Sequence, residues 1–159
     1  MENNIIPNTP YNFILSKVIT EQFALIEEGF SDKGNIRIGT QLRFGCDEQK
    51  KLIGCFAKFI FESEQETFII IEAGCQFQIL DDTWINMYVE ELNSLKVPKG
   101  FASHLAMLTI GTTRGILHAK TEGTCYNKYV LPTINVTTLI KADILFDFKV
   151  PKVETKDLI

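Results

Sequence analysis

Three runs of alternating side chains, joined by turns of only a few residues, constrain this chain more than any other feature. In residues 36–46, Ile36, Ile38, Thr40, Leu42, Phe44 and Cys46 point one way, and Arg37, Gly39, Gln41, Arg43 and Gly45 the other. That period of two is the mark of a half-buried strand. After the polar turn 47–51, residues 52–63 alternate again, with Ile53, Cys55, Ala57, Phe59 and Phe61 against Gly54, Phe56, Lys58, Ile60 and Glu62. A second turn at 64–66 leads to 67–80, where Ile69, Ile71, Ala73, Cys75, Phe77 and Ile79 share a face. Strands joined so closely pair antiparallel, because a parallel crossover needs a dozen or more residues.

Upstream, residues 11–28 read as extended, with Phe13, Leu15, Phe23 and Leu25 apolar. Their phase slips around Thr20–Gln22, which predicts a bulge there. Gly29, Ser31, Asp32, Gly34 and Asn35 make a turn cluster. Downstream the period changes. Asp81 or Asp82 is suited to cap a helix start, and Trp84, Tyr88 and Leu92 recur at helical spacing, which predicts a helix over 83–94. Val97-Pro98-Lys99-Gly100 interrupts it. A longer helix is expected over 99–120, with Phe101, Leu105, Leu108, Thr112, Ile116 and Ala119 as one stripe, Ala102, Ala106, Thr109, Thr113 and Leu117 flanking it, and Gly123 after its end. A loop over 124–134 follows, and Asn135 is placed to cap a shorter final helix through Ile140 and toward Phe146. The expected fold class is α+β: a four-stranded antiparallel sheet, a long helix, a connecting loop and a shorter C-terminal helix. Residues 1–10 read as a flexible arm, 11–146 as one domain and 147–159 as a tail.

A length of 159 residues suits one domain, and 45% apolar with 23% charged residues is ordinary globular composition. The net charge of −4 disfavours a phosphate backbone as partner, so no nucleic-acid binding is expected. The start MENNIIPNTPYNF lacks a basic stretch followed by an apolar core, and the apolar run Phe68–Ile71 is far short of a membrane span. A cytoplasmic protein without membrane insertion is the expectation. Cys46, Cys55, Cys75 and Cys125 form no CxxC pair and read as reduced, buried small hydrophobes. Cys46 and Cys55 flank one turn, where facing each other across a hairpin would suit a disulfide only in an oxidising compartment.

Nothing in the chain assembles into catalytic chemistry. His104 and His118 lie fourteen residues apart on the predicted long helix, so about 21 Å separates them and they share no metal. Asp81-Asp82, Glu27-Glu28 and Glu90-Glu91 are neighbours that diverge in space. Gly111-Thr112-Thr113-Arg114-Gly115 lacks the spacing of a phosphate loop and falls inside a helical pattern, where the amides are already bonded. Two glycines four apart in a helix point instead to close approach by another element. No enzyme activity, cofactor or metal is expected.

The order of elements and several local motifs resemble the SecB family of export chaperones. Phe68-Ile-Ile-Ile-Glu72, then Gly74 and Phe77-Gln-Ile79, is similar to that family's fourth strand. Thr113-Arg114-Gly115-Ile116-Leu117 is similar to a segment of its long helix, and Leu131-Pro132-Thr133-Ile134-Asn135-Val136 to its L-x-P-[IV]-N-F run. The proline stands one position early, Val136 replaces the usual phenylalanine, Glu122-Gly123 stands where Arg-Gly is usual, and the tail contains lysine where the family's is rich in glutamine and acid.

The resemblance implies a homo-oligomer, a dimer of dimers, that holds unfolded or partly folded polypeptide in apolar grooves without ATP. It implies polypeptide-binding residues Tyr126, Tyr129, Val130, Leu131, Ile134, Val136 and Phe146 around the loop. It implies a partner-binding acidic sheet face at Glu72 and Glu21, used by export members toward the SecA motor, while other members serve toxin–antitoxin pairs. The expected oligomer interface comprises Gly111, Arg114, Gly115, Phe59 and Phe61. The residues lend their own support. Strand 52–63 is apolar on both faces and asks for cover, and a loop with Tyr126, Tyr129, Val130 and Leu131 is unusually apolar for a connection. The alternative is a dedicated adaptor for a single partner such as an antitoxin, or an orphan oligomeric binding protein. Those loop residues also suit a simpler role, tucking the loop onto the sheet.

Overall fold

The computed structural model describes residues 11–149. The expected arm at 1–10 and the tail beyond 149 lie outside the described residues. The fold is α+β. Four strands, β1 (Phe13–Leu25), β2 (Ile36–Asp47), β3 (Leu52–Ser63) and β4 (Glu66–Ile79), form one antiparallel sheet in the order β1-β4-β3-β2. β2 and β3 pair in continuous register, with Arg43 opposite Phe56, while β3 and β4, with Lys58 opposite Glu72, shift register once between Phe61 and Glu62. The first strand does not join β2. It crosses to the far side of β4, so β1 and β2 are the two edges.

Two irregularities interrupt β1, one between Leu15 and Lys17 and one between Thr20 and Gln22. The second is the slip seen in the apolar pattern. The first, at Ser16, shows in the sequence only as the spacing of three between the apolar Leu15 and Val18. The two insertions keep Phe13, Leu15, Val18, Thr20, Phe23 and Leu25 on one face, opposite Ile79, Phe77, Cys75, Ala73, Ile71 and Ile69.

That face carries α2 (Lys99–Thr121), which packs over β3 and β4. The helix has turned relative to the stripe expected from sequence. Ala102, Ala106, Thr109, Thr113 and Leu117 are buried, whereas Leu108 is exposed. The reason is chemical. Thr109, Thr113 and Thr121 each donate their hydroxyl to the carbonyl four residues back, at 2.8–2.9 Å, so the fully buried threonines carry no unsatisfied polar group. The chain enters α2 through Pro98, which offers no side-chain cap. The Asp143 carboxylate fills that role, accepting from the Lys99 amide at 2.8 Å.

The segment between β4 and α2 corrects the expected 83–94 helix. α1 (Asp81–Met87) lasts seven residues, then β5 (Tyr88–Val89) turns through a 3-10 turn at Glu90–Leu92 into β6 (Ser94–Val97). Asn93 takes a left-handed φ of 45°, which asparagine tolerates better than most residues, and the Tyr88 hydroxyl donates to its side chain. Leu95 and Val97 buried around an exposed Lys96 is strand alternation, too short to outweigh the i, i+4 pattern in sequence.

The expected final helix is a single 3-10 turn at Val136–Thr138, with Asn135 as its cap. Consecutive Thr137 and Thr138 favour no longer helix. Phe146 belongs instead to β7 (Ile144–Asp147), which pairs with β6 and completes a second sheet, β5-β6-β7. Phe148 stacks on Trp84 at 6.4 Å, so packing continues two residues past 146.

The core lies between the sheet and α2, and it absorbs Phe59 and Phe61 completely. Both were expected at an oligomer interface. They face α2 and have no surface to offer. Cys55 stands directly opposite Cys75, while Cys46 is opposite Ile53, so the hairpin does not bring Cys46 and Cys55 face to face. Among the described residues no disulfide joins any of the four cysteines. Burial pushes the Cys55 thiol up to about 12, against a smaller lowering by a hydrogen bond with Thr109.

Candidate functional site

The loop after α2 was expected to open a groove, and it is closed. Tyr126 is 4% exposed and Leu131 2%, and Val136 is also buried. Phe30 comes within 5.0 Å of the Tyr126 ring and Phe68 within 4.9 Å of Tyr129, so both tyrosines join the core's aromatic cluster. Arg114, expected at an interface, holds this loop down. Its Nε donates to the Leu131 carbonyl and its Nη2 to the Pro132 carbonyl, both at 2.8 Å. Of the loop residues named from sequence, Val130 is the exposed one, while Tyr129 and Ile134 are half-buried. Ile134 and Val136 line a dimple of about 160 Å³ with Met107, Ile110 and Arg114. Phe146 is half-buried on β7, away from this loop in the chain. Tyr126, Leu131 and Val136 are therefore packing residues, because an aromatic loop beside an open sheet end gains most by covering it.

Exposed apolar surface gathers elsewhere. On the α2 side of β1, Leu15 is 46% exposed and Val18 47%. The helix flank beside them is marked at both ends. His104 meets Phe13 at 5.9 Å, and the Lys120 ammonium lies 5.4 Å from the Phe23 ring. Positions 104, 108, 112, 116 and 120 form one ridge at a spacing of four, so Leu108, Thr112 and Ile116 run along β1 between those markers. The result is an apolar trough with Leu15, Val18 and Thr20 on one wall and Leu108 and Ile116 on the other. Sequence reasoning counted Leu108 as core and passed over Val18. The spacing of three between Leu15 and Val18 was the available signal for the Ser16 bulge that turns both toward the helix. Beside the trough runs the outer edge of β1, with which no strand pairs among the described residues. Gly111 and Gly115 are exposed on α2, and an added Cβ would meet nothing within 4 Å at either.

The other sheet face places the expected acidic residues differently. Glu21 is exposed at the second β1 bulge, beside Gln22, which pairs with Glu72. Glu72 itself is not a free acid. Its carboxylate lies 2.9 Å from Arg43, and its side chain is 14% exposed.

No family model and no curated protein matches this chain. Among solved structures it is similar to a protein of unknown function from Streptococcus agalactiae, at 15% identity, covering 79% of this chain and 98% of that one, with a TM-score of 0.33.

Among the described residues no group of three His, Cys, Asp or Glu side chains is placed to hold a metal ion, and no helix is long and apolar enough to cross a membrane. His118 sits on the α2 surface, 3.8 Å from Glu122. A cavity of about 550 Å³ lies between α1, β6 and Tyr11, with the Lys96–Asp143 ion pair at its rim. Hydrogen bonds from the Asn12 side chain and the Thr83 amide hold the nearby Asp82 carboxyl below its ordinary range, which keeps it an acceptor there.

Proposed function

We propose that this protein binds extended polypeptide, holding non-native chains without nucleotide as a SecB-like chaperone does, and that it works as a homo-oligomer. One observation carries the reading: the 13-residue edge strand β1, paired with β4 on one side and with no strand on the other among the described residues, lies beside an apolar trough. An incoming strand would add to the outer edge of β1, and its alternate side chains would drop between Leu15, Val18 and Leu108. Main-chain bonding is blind to sequence, which suits many different clients. The binding surface moves from the loop to β1 and α2, since the loop's own aromatics are spent on the core.

The test is an aggregation assay with several unrelated denatured proteins, run with the wild type and with Leu15→Lys/Val18→Lys. Both positions are half exposed, so the double variant keeps its fold, while lysines on an edge strand oppose strand addition. The wild type is expected to suppress aggregation equally with and without ATP, and the variant to lose most of that effect. Failure of the wild type against every client favours the second reading, a single-partner adaptor using the same edge. An active variant refutes the trough as the site.

A further inference from the structure

Phe56 projects from the sheet face opposite α2, yet it is only 2% exposed. Its ring lies flat over Gly74 on the neighbouring strand, where a Cβ would stand 2.3 Å from the ring carbons. The Arg43 guanidinium covers the ring from above at 4.1 Å, and its Nε and Nη2 both donate to one oxygen of Glu72, at 3.1 and 2.9 Å. Stack and ion pair together hold the plane of the guanidinium fixed. Glu72 uses two of its five N–H donors, and among the described residues the rest are unclaimed. Lys58 stands beside this stack, paired in register with Glu72 on one side and Gln41 on the other. It is half-buried, and among the described residues its ammonium makes no ion pair or hydrogen bond. Gln41, Arg43, Phe56, Lys58 and Glu72 line a cavity of about 360 Å³. Two cations face one carboxylate there, in a chain whose net charge is −4.

We propose that this cavity binds a carboxylate, the Asp or Glu side chain of an acidic polypeptide segment laid across the outer sheet face. A planar carboxylate matches the free N–H edge of a fixed guanidinium, and the Lys58 ammonium supplies the second contact. With Glu72 already in place the site has one positive charge in excess, which suits a monoanion. The site is on the face away from the β1 trough, so it stands or falls independently of client holding there.

The experiment titrates the full chain with a fluorescently labelled hexaglutamate peptide, with hexaglutamine, glutarate and inorganic phosphate as competitors. Hexaglutamate is expected to bind with an affinity that falls as salt rises, and none of the competitors to displace it at equal concentration. Lys58→Gln should weaken binding about tenfold. Glu72→Gln should tighten it several-fold, a gain that a merely destabilised variant would not show. Hexaglutamine binding equally well, or an unchanged affinity in both variants, overturns the proposal. Glutarate or phosphate binding as tightly as the peptide overturns the polypeptide as its occupant.

Discussion

Gly74 governs the outer sheet face through the atom it lacks. Gly74→Ala would force Phe56 off its neighbour and strip the platform from under Arg43. A loss of about 1–3 kcal/mol is expected in urea unfolding, the usual cost of overpacking. In a Phe56→Ala background the clash is gone, and the same change should stabilise by about 0.5–1 kcal/mol, since glycine inside a strand is otherwise unfavourable. That reversal of sign is the test. Cys55 offers a second residue-scale prediction. Its thiol is raised from 9.0 to about 12, so the folded state favours the protonated form. The resulting stability is fully present below pH 9 and is lost as pH rises toward 12. The stability of Cys55→Val should therefore fall less steeply than that of the wild type between pH 8 and 10.5. Thiol labelling of the native protein is expected to be fast at exposed Cys125, and at buried Cys55 and Cys75 only on unfolding.

The elements divide into those that hold themselves and those held by a distant partner. The β2–β4 meander needs only its own alternation and short turns. The loop from Thr124 to Ile134 instead depends on Arg114, one side chain serving two consecutive carbonyls. Arg114→Ala should cost about 1–3 kcal/mol and speed amide exchange over residues 129–136. Within the loop, Leu131→Ala should cost about 2–5 kcal/mol, since a fully packed side chain leaves a cavity. Val130→Ser, at an exposed position, should stay within about 0.5 kcal/mol. Thermal or urea unfolding of the pair separates core from surface without reference to any client.

At the scale of the whole molecule, one side of the sheet is sealed by α2 except along β1, and the other mixes the Arg43–Glu72 pair and Lys58 with apolar side chains such as Ile14, Ile60 and Ile70. An open edge 13 residues long that exposes Ile14, Leu15 and Val18 is a hazard for a lone subunit. The 18.1 kDa chain is therefore expected to sediment as a dimer or larger at micromolar concentration. Leu15→Lys/Val18→Lys should shift it toward the monomer if copies pair through this edge. An assembled wild type whose variant assembles unchanged would place subunit contacts on the exposed α2 face around Met107 and Gly111 instead.

Strands β2, β3 and β4 and helix α2 were legible because their signals are local. Alternation and helical spacing repeat over enough residues that neighbours alone decide the conformation. The Thr20–Gln22 bulge showed for the same reason. The stretch 83–97 did not, because its i, i+4 apolar spacing competes with a strand alternation only four residues long, and β7, some 50 positions later, tips the balance by pairing with β6. The rotation of α2 was legible only in part: Ala102, Ala106, Thr109, Thr113 and Leu117 flank the expected stripe, but that this row faces the sheet is a matter of packing between distant segments. The candidate site follows this division. Apolar loop residues were visible in the sequence, but whether they face a client or the core depends on which sheet end lies beneath them. Leu15, Val18 and Leu108 form a trough only once β1 has crossed to the edge and α2 has turned, and both are tertiary decisions. Residue types and their periods set what each segment can become. Contacts between segments far apart in the chain decided which surfaces stayed open.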